Sequence, residues 1–118
     1  MPVNTLIEKI RTSPDSVEFN EVIDCITEYY DYTRSRFTNG AAEDMVVNEA
    51  GANEGSCKIF AFARLNDLNE QETLTCFGRY YREDVLANPG GEDHANIRTF
   101  MRHGWAGIQF DHPALAGR

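Results

Sequence analysis

Apolar residues recur at helical spacing over the first third of the chain. Thr5 and Glu8 match a capping box, so a short helix carrying Leu6 and Ile10 is predicted there. Ser13 and the proline after it indicate a new helix start, which predicts a second helix over residues 14–31. Its apolar face is formed by Phe19, Val22, Ile23, Ile26 and Tyr30.

The most continuously apolar segment, residues 56–68, directly follows a polar, glycine-bearing loop over residues 48–55. It does not alternate as a half-buried strand would, whereas as a helix it would hide most of its circumference. We therefore predict a central buried helix. Asn69 and Glu72 match the cap of another helix, predicted to reach residue 87. Asp93 is predicted to cap a last helix that ends near residue 104.

The segments with β character are short and lie on either side of the central helix. Residues 32–38 alternate and end in an Asn-Gly turn signal, and residues 45–47 suit a returning strand. A loose hairpin near residues 32–48 and a further strand near residues 105–110 are predicted, with a loosely held tail from Pro113. The prediction is a single α+β domain over residues 1–118, with about five helices and a small antiparallel sheet.

Charge and composition narrow the function classes. The chain has 118 residues and a net charge of −8, which argues against nucleic acid and anionic membranes as partners. No apolar run approaches the roughly 20 residues of a membrane span. The first 16 residues lack the pattern of a secretory signal, and the three cysteines show no framework spacing. We expect a soluble cytoplasmic protein without cofactors, whose partner is a protein or a small molecule.

The loop before the central helix carries most of the candidate chemistry. Glycines ahead of a helix start suit a small anion or carboxylate, although the Gly-Lys-Ser/Thr ending of a phosphate-binding P-loop is missing. Candidate ligand-binding residues are Asn48, Glu49, Asn53, Ser56, Lys58 and Trp105. No His-x-x-x-His or Cys-x-x-Cys pair is present, so no metal site is predicted.

Cys57 and His103 are the candidate catalytic pair. A thiol in the first turn of a helix is biased toward thiolate, and a histidine later in the chain would serve as its base. That alternative describes a small cysteine-dependent hydrolase or transferase. Cysteine is also among the most buried residue types, so the simpler interpretation of Cys57 is a buried structural residue.

A series of ordered sequence blocks extends over nearly the whole chain. The blocks are Tyr30-Asp31-Tyr32-Thr33, Phe37-Thr38-Asn39-Gly40, Asn48-Glu49-Ala50-Gly51, residues 55–63, residues 76–82, Asp93-His94, Asn96-Ile97-Arg98 and residues 100–108. Together they resemble the HopJ type III effector family. The resemblance implies an effector-like protein, delivered into host cells by a type III secretion system, with no established reaction, ligand or catalytic residues. A bacterial housekeeping domain without catalysis remains an alternative.

Overall fold

The computed structural model describes residues 1–118 and combines α-helices with short antiparallel strands. The α+β prediction is therefore confirmed. The helices are α1 (Val3–Thr12), α2 (Phe19–Tyr29), α3 (Glu54–Leu65), α4 (Glu70–Thr75) and α5 (Ala95–His103). The strands are β1 (Tyr30–Tyr32), β2 (Phe37–Asn39), β3 (Val46–Asn48), β4 (Gln109–Phe110) and β5 (Leu115–Gly117).

The predicted hairpin and the predicted C-terminal strand form one antiparallel sheet in the order β3-β2-β4. In the central strand β2, Phe37 pairs with Asn48 of β3 on one side and with Phe110 of β4 on the other. A 3-10 turn at Ala42–Asp44 occupies the loop of the hairpin. Residues 104–107 form another 3-10 turn, so the predicted extended segment 105–110 is reduced to Gln109–Phe110.

The C-terminal tail is held in place, and the expectation of a loose tail is wrong. Strand β5 pairs antiparallel with β1, with Tyr30 opposite Gly117 and Tyr32 opposite Leu115. Leu115 is 4% exposed, and the Arg118 Nε donates to Asp31 Oδ1 at 2.9 Å. The tail binds because its one large apolar side chain enters the core while its backbone completes a two-stranded sheet.

Helix α3 lies at the centre of the core, as its apolar sequence predicts. Phe60 and Phe62 are fully buried, and four aromatic rings surround the Phe60 ring at centroid distances of 5.0–6.3 Å. These rings belong to Phe37, Phe77, Phe100 and Trp105. The core therefore ties α3 to β2, to the segment after α4 and to α5.

Several predicted helix bounds are wrong. Helix α1 begins at Val3 without a side-chain cap, ahead of the Thr5 start that the sequence suggested. The predicted helix 14–31 is divided, because Pro14–Ser16 forms a separate 3-10 turn and α2 begins only at Phe19.

The helix predicted from Asn69 to residue 87 also divides. Its capping box is confirmed, with Glu72 N donating to Asn69 Oδ1 at 2.8 Å. The helix stops after Thr75, and Gly78 takes a positive φ of 59°. A Cβ at this position would lie 2.6 Å from the Phe19 backbone nitrogen, so close packing on α2 requires glycine. The chain then continues as a π-helical turn at Tyr80–Val85.

No helix is both long and apolar enough to cross a lipid bilayer.

The docked tail predicts a stability cost for truncating Leu115. Leu115→Ala removes a buried side chain, so the free energy of unfolding should fall by about 2 kcal/mol or more in urea denaturation. Leu86→Ala is the matched control, because Leu86 is 49% exposed and its loss should change the free energy by under about 0.5 kcal/mol. Equal effects of the two substitutions would contradict the docked tail.

Candidate functional site

Helices α3 and α5 begin without a side-chain cap. Asn53 and His94 directly precede α3 and α5, and both adopt the left-handed conformation with φ of 53° and 52°. Neither side chain caps its helix. The first amides of a helix have no acceptor within it, and none of the amides of residues 54–56 and 95–97 donates to another protein group. Each helix start therefore presents backbone donors that carry positive partial charge.

Both helix starts line the same depression, which we call the helix-end pocket. Its volume is about 370 Å³, within the range of small-molecule sites. The polar wall is contributed by Asn53, Gly55 and Ser56 from the start of α3 and by His94, Ala95 and Asn96 from the start of α5. The remaining lining is largely apolar or aromatic and consists of Phe19, Val46, Phe77, Tyr80 and Ile97.

Two other depressions of similar volume are not lined by two uncapped helix starts. One, of about 340 Å³, lies at the start of α4, where Asn69 and Glu72 already satisfy each other's amides. Another, of about 420 Å³, lies between α3 and residues 110–115 and includes no helix start. The presence of two uncapped helix starts therefore distinguishes the helix-end pocket from these two depressions.

A buried asparagine network holds the two helix starts together. Asn96 Nδ2 donates to Asn48 Oδ1 at 2.9 Å, and Asn48 Nδ2 donates to Asn96 Oδ1 at 3.1 Å. Asn53 Nδ2 adds a bond of 2.7 Å to Asn48 Oδ1, and Asn39 Nδ2 donates to the Asn96 carbonyl at 2.8 Å. Because the Asn53 amide group is engaged in this network, it is not available to cap α3.

The charged groups near the pocket have contacts of their own. Glu54, the acid in the first turn of α3, is not a lining residue, and its carboxylate lies 3.8 Å from Arg34. His94 is a lining residue, and its Nε2 lies 2.9 Å from Asp84 Oδ2. The Tyr80 ring lies 5.2 Å from the imidazole ring and forms part of the same wall.

The structure brings three of the predicted ligand-binding residues to this site. Asn53 and Ser56 line the pocket, and Asn48 lies buried behind it as the centre of the network. The Asp93 cap prediction is wrong, because α5 begins after His94 and the Asp93 carboxylate accepts from Arg98 Nη2 at 2.6 Å.

The other three predicted ligand-binding residues lie outside the pocket lining. Glu49 pairs with Arg36 at 2.9 Å, and the Lys58 ammonium sits 4.7 Å from the centre of the Tyr32 ring. The Trp105 Nε1 donates to the Leu68 carbonyl at 3.0 Å, and its ring packs in the core. These contacts support the fold.

Cys57 and His103 each have a partner other than the proposed catalytic one. The Cys57 Sγ is buried and lies 3.9 Å from the Ser35 carbonyl, and desolvation raises the pKa of this thiol. His103 Nε2 bonds Asp44 Oδ2 at 2.8 Å, which helps to lower the pKa of Asp44 to about 2. Burial outweighs the helix-start effect on the thiol, and the catalytic pairing stays a prediction without support from these contacts.

Sequence reasoning missed the α5 half of the site. The pocket is lined by His94, Asn96 and Tyr80. The sequence around these residues predicted only a helix cap and an apolar helix face. A usable signal was present in the residue types. Asn53 and His94 both belong to the few types that adopt positive φ readily, and each stands immediately before a helix.

The network predicts a specific stability loss. Asn96→Ala removes the two reciprocal bonds between the Asn48 and Asn96 side chains, each worth about 1 kcal/mol, so the free energy of unfolding should fall by about 2 kcal/mol. Asn20→Ala is the control, since Asn20 is also the second residue of its helix but is exposed. Chemical denaturation should show little or no loss for this control, and equal losses would contradict the network's role.

Burial also predicts slow modification of Cys57. With its thiol 1% exposed, iodoacetamide should label Cys57 in the native protein no faster than Cys25 or Cys76, and all three should react quickly in denaturant. Peptide mass spectrometry after timed quenching measures the three rates. Fast and selective labelling of native Cys57 would instead support the cysteine-dependent enzyme.

Comparison with known proteins agrees with the resemblance noted in the sequence. The chain is 47% identical to a solved protein described as "Crystal structure of unknown function protein VPA0580", with a TM-score of 0.94, covering 100% of this chain and 95% of that one. A search of curated proteins finds no match. The family model described as HopJ type III effector protein matches residues 3–115. The chain belongs to the HopJ type III effector protein family.

Proposed function

We propose that this protein is an effector-like, small-ligand-binding domain whose ligand is an organic acid held in the helix-end pocket. The observation that carries the proposal is the convergence of two uncapped helix starts on one depression. A carboxylate or phosphate group of the ligand would accept hydrogen bonds from the amides of residues 54–56 and 95–97.

The expected strength of the anion contact follows from the helix ends. A favourable, partly buried helix terminus contributes up to about 2 kcal/mol to binding a negative charge. Two such ends acting on one group give about 4 kcal/mol, which corresponds to a dissociation constant of about 1 mM. An inorganic anion alone should therefore bind weakly, and useful affinity requires further contacts.

The apolar wall supplies those contacts. Phe19, Phe77 and Ile97 face the same depression as the free amides, so a ligand with an apolar or aromatic body would contact both. Burying such a body adds roughly 1.5–3 kcal/mol, which is a tenfold or larger gain in affinity. A monoanionic or dianionic acid carrying a ring fits this combination better than a bare anion.

Substitution of Ser56 tests the proposal. Ser56→Asp places a carboxylate in the first turn of α3, where it is compatible with the helix dipole and repels an incoming acid. In calorimetric titration, the parent protein should bind phenyl phosphate at least tenfold more tightly than inorganic phosphate. Ser56→Asp should weaken phenyl phosphate binding at least tenfold. The thermal stability of the Ser56→Asp variant should be equal to or slightly above that of the parent.

Ser56→Asn is the matched control, because asparagine is similar in size to aspartate but carries no charge. This variant should retain most of the binding of the parent. Measuring all variants at one ionic strength removes the general stabilisation that phosphate salts give to folded proteins. Equal phenyl phosphate affinity for the Asp and Asn variants would contradict the proposal, as would no measurable binding to the parent.

The family supports a second part of the proposal, delivery into a host cell by a type III secretion system, where a host protein would be the partner. A fusion of this chain to an enzymatic reporter should reach host cells from bacteria with an intact secretion apparatus. Detection of equal signal from a secretion-deficient strain would contradict delivery. Retention of the fusion inside both strains would favour the bacterial housekeeping alternative.

A further inference from the structure

A second cluster of polar groups lies at the edge of the helix-end pocket and shares one residue, His94, with the pocket wall. Asp84, in the π-helical turn, faces Asp93 and His94, which directly precede α5. One ligand atom from each residue lies within 4.8 Å of the others. Sequence spacing gave no indication of it, because Asp84 and His94 come from different elements.

We propose that Asp84, Asp93 and His94 form a binding site for a divalent transition-metal ion such as Zn²⁺. Imidazole and carboxylate are both common zinc ligands. Three protein ligands leave a coordination position for water or for another molecule, as in zinc sites that are not purely structural.

The distances are close to those that a metal requires. Zinc ligands lie about 2.0–2.2 Å from the ion, so ligand atoms in a tetrahedral site are about 3.4 Å apart. His94 Nε2 is 2.9 Å from Asp84 Oδ2 and 3.8 Å from Asp93 Oδ2, values that bracket this separation. Asp84 and Asp93 are about half exposed, so small side-chain rotations equalise the distances.

Arg98 orients the Asp93 carboxylate from the side away from the histidine. Its Nη2 donates to Asp93 Oδ1 at 2.6 Å and its Nε donates to the Asp93 carbonyl at 2.6 Å, which leaves Oδ2 facing His94. Arg98 is itself 9% exposed, and its Nη1 donates to the Asn88 carbonyl at 2.8 Å. Partners of this kind fix the orientation of metal ligands.

A second histidine–aspartate pair in the chain provides a matched comparison. His103 Nε2 bonds Asp44 Oδ2 at 2.8 Å, but Arg102 Nε donates to the same oxygen at 3.1 Å. No third ligand-bearing residue completes that pair. Arg102 bonds the very oxygen that would ligate the ion and competes with a cation for it, so the His103 pair is expected not to bind zinc.

Calorimetric titration of tag-free protein with Zn²⁺ alone tests the site. We expect one ion per chain, and Asp84→Asn should weaken zinc binding at least about tenfold. The two control variants are His103→Gln and Asp24→Asn, which changes an exposed residue. Both should bind zinc with an affinity within about twofold of the parent. Circular dichroism confirms that the variants fold. Co²⁺ in place of Zn²⁺ should give a visible absorption band that Asp84→Asn removes.

Three results would overturn the metal site: no binding, binding unchanged by Asp84→Asn, or equal loss with His103→Gln. In any of these cases the His94–Asp84 contact is an ordinary hydrogen-bonded pair. The test is separable from that of the acid pocket, since Asp84 is not a pocket-lining residue and the acid titrations are done in EDTA. Ser56→Asp should keep its zinc binding.

Discussion

The reciprocal hydrogen bonds between the Asn48 and Asn96 side chains are the contact on which the site depends. Asn48 ends β3 and Asn96 lies in the first turn of α5, so this pair fixes the sheet against the helix start. Asn48 also accepts a hydrogen bond from Asn53, the residue directly before α3. Without these bonds, nothing polar would connect the two helix starts across the depression, and their amides would not be held toward one point.

The arrangement has an energetic cost that the core offsets. Burying amide side chains is favourable only when their hydrogen bonds are made, and the Oδ1 of Asn39 has no partner here. The left-handed backbones of Asn53 and His94 add strain, at about 1–3 kcal/mol for a residue in such a region. The aromatic cluster around Phe60 supplies apolar burial in the adjoining core. Helix starts that could have been capped by Ser, Thr or Asp instead remain open, which is the pattern expected where local stability is given up for binding.

The sequence predicted the elements of the fold better than their ends. The apolar run of α3 and the Asn69–Glu72 cap were readable because they rest on contacts within a few residues. The break at Gly78 could not be predicted from the sequence, since it depends on close packing against the backbone of Phe19, approximately sixty positions away. The docking of Leu115 on β1 was missed for the same reason. At the site, the loop before α3 was recognised from its glycines, whereas the contribution of α5 depends on the Asn48–Asn96 contact between distant segments.

The most direct test of the account is a titration of ¹⁵N-labelled protein with phenyl phosphate, followed by amide chemical shifts. A bound anion accepts hydrogen bonds from free helix-start amides, so the resonances of residues 54–56 and 95–97 should move downfield together and saturate at one ligand concentration. The amides at the start of α4 should stay in place, because Asn69 and Glu72 already cap that helix. Shifts confined to one helix start, or equal shifts at the start of α4, would contradict a site built from two converging helices.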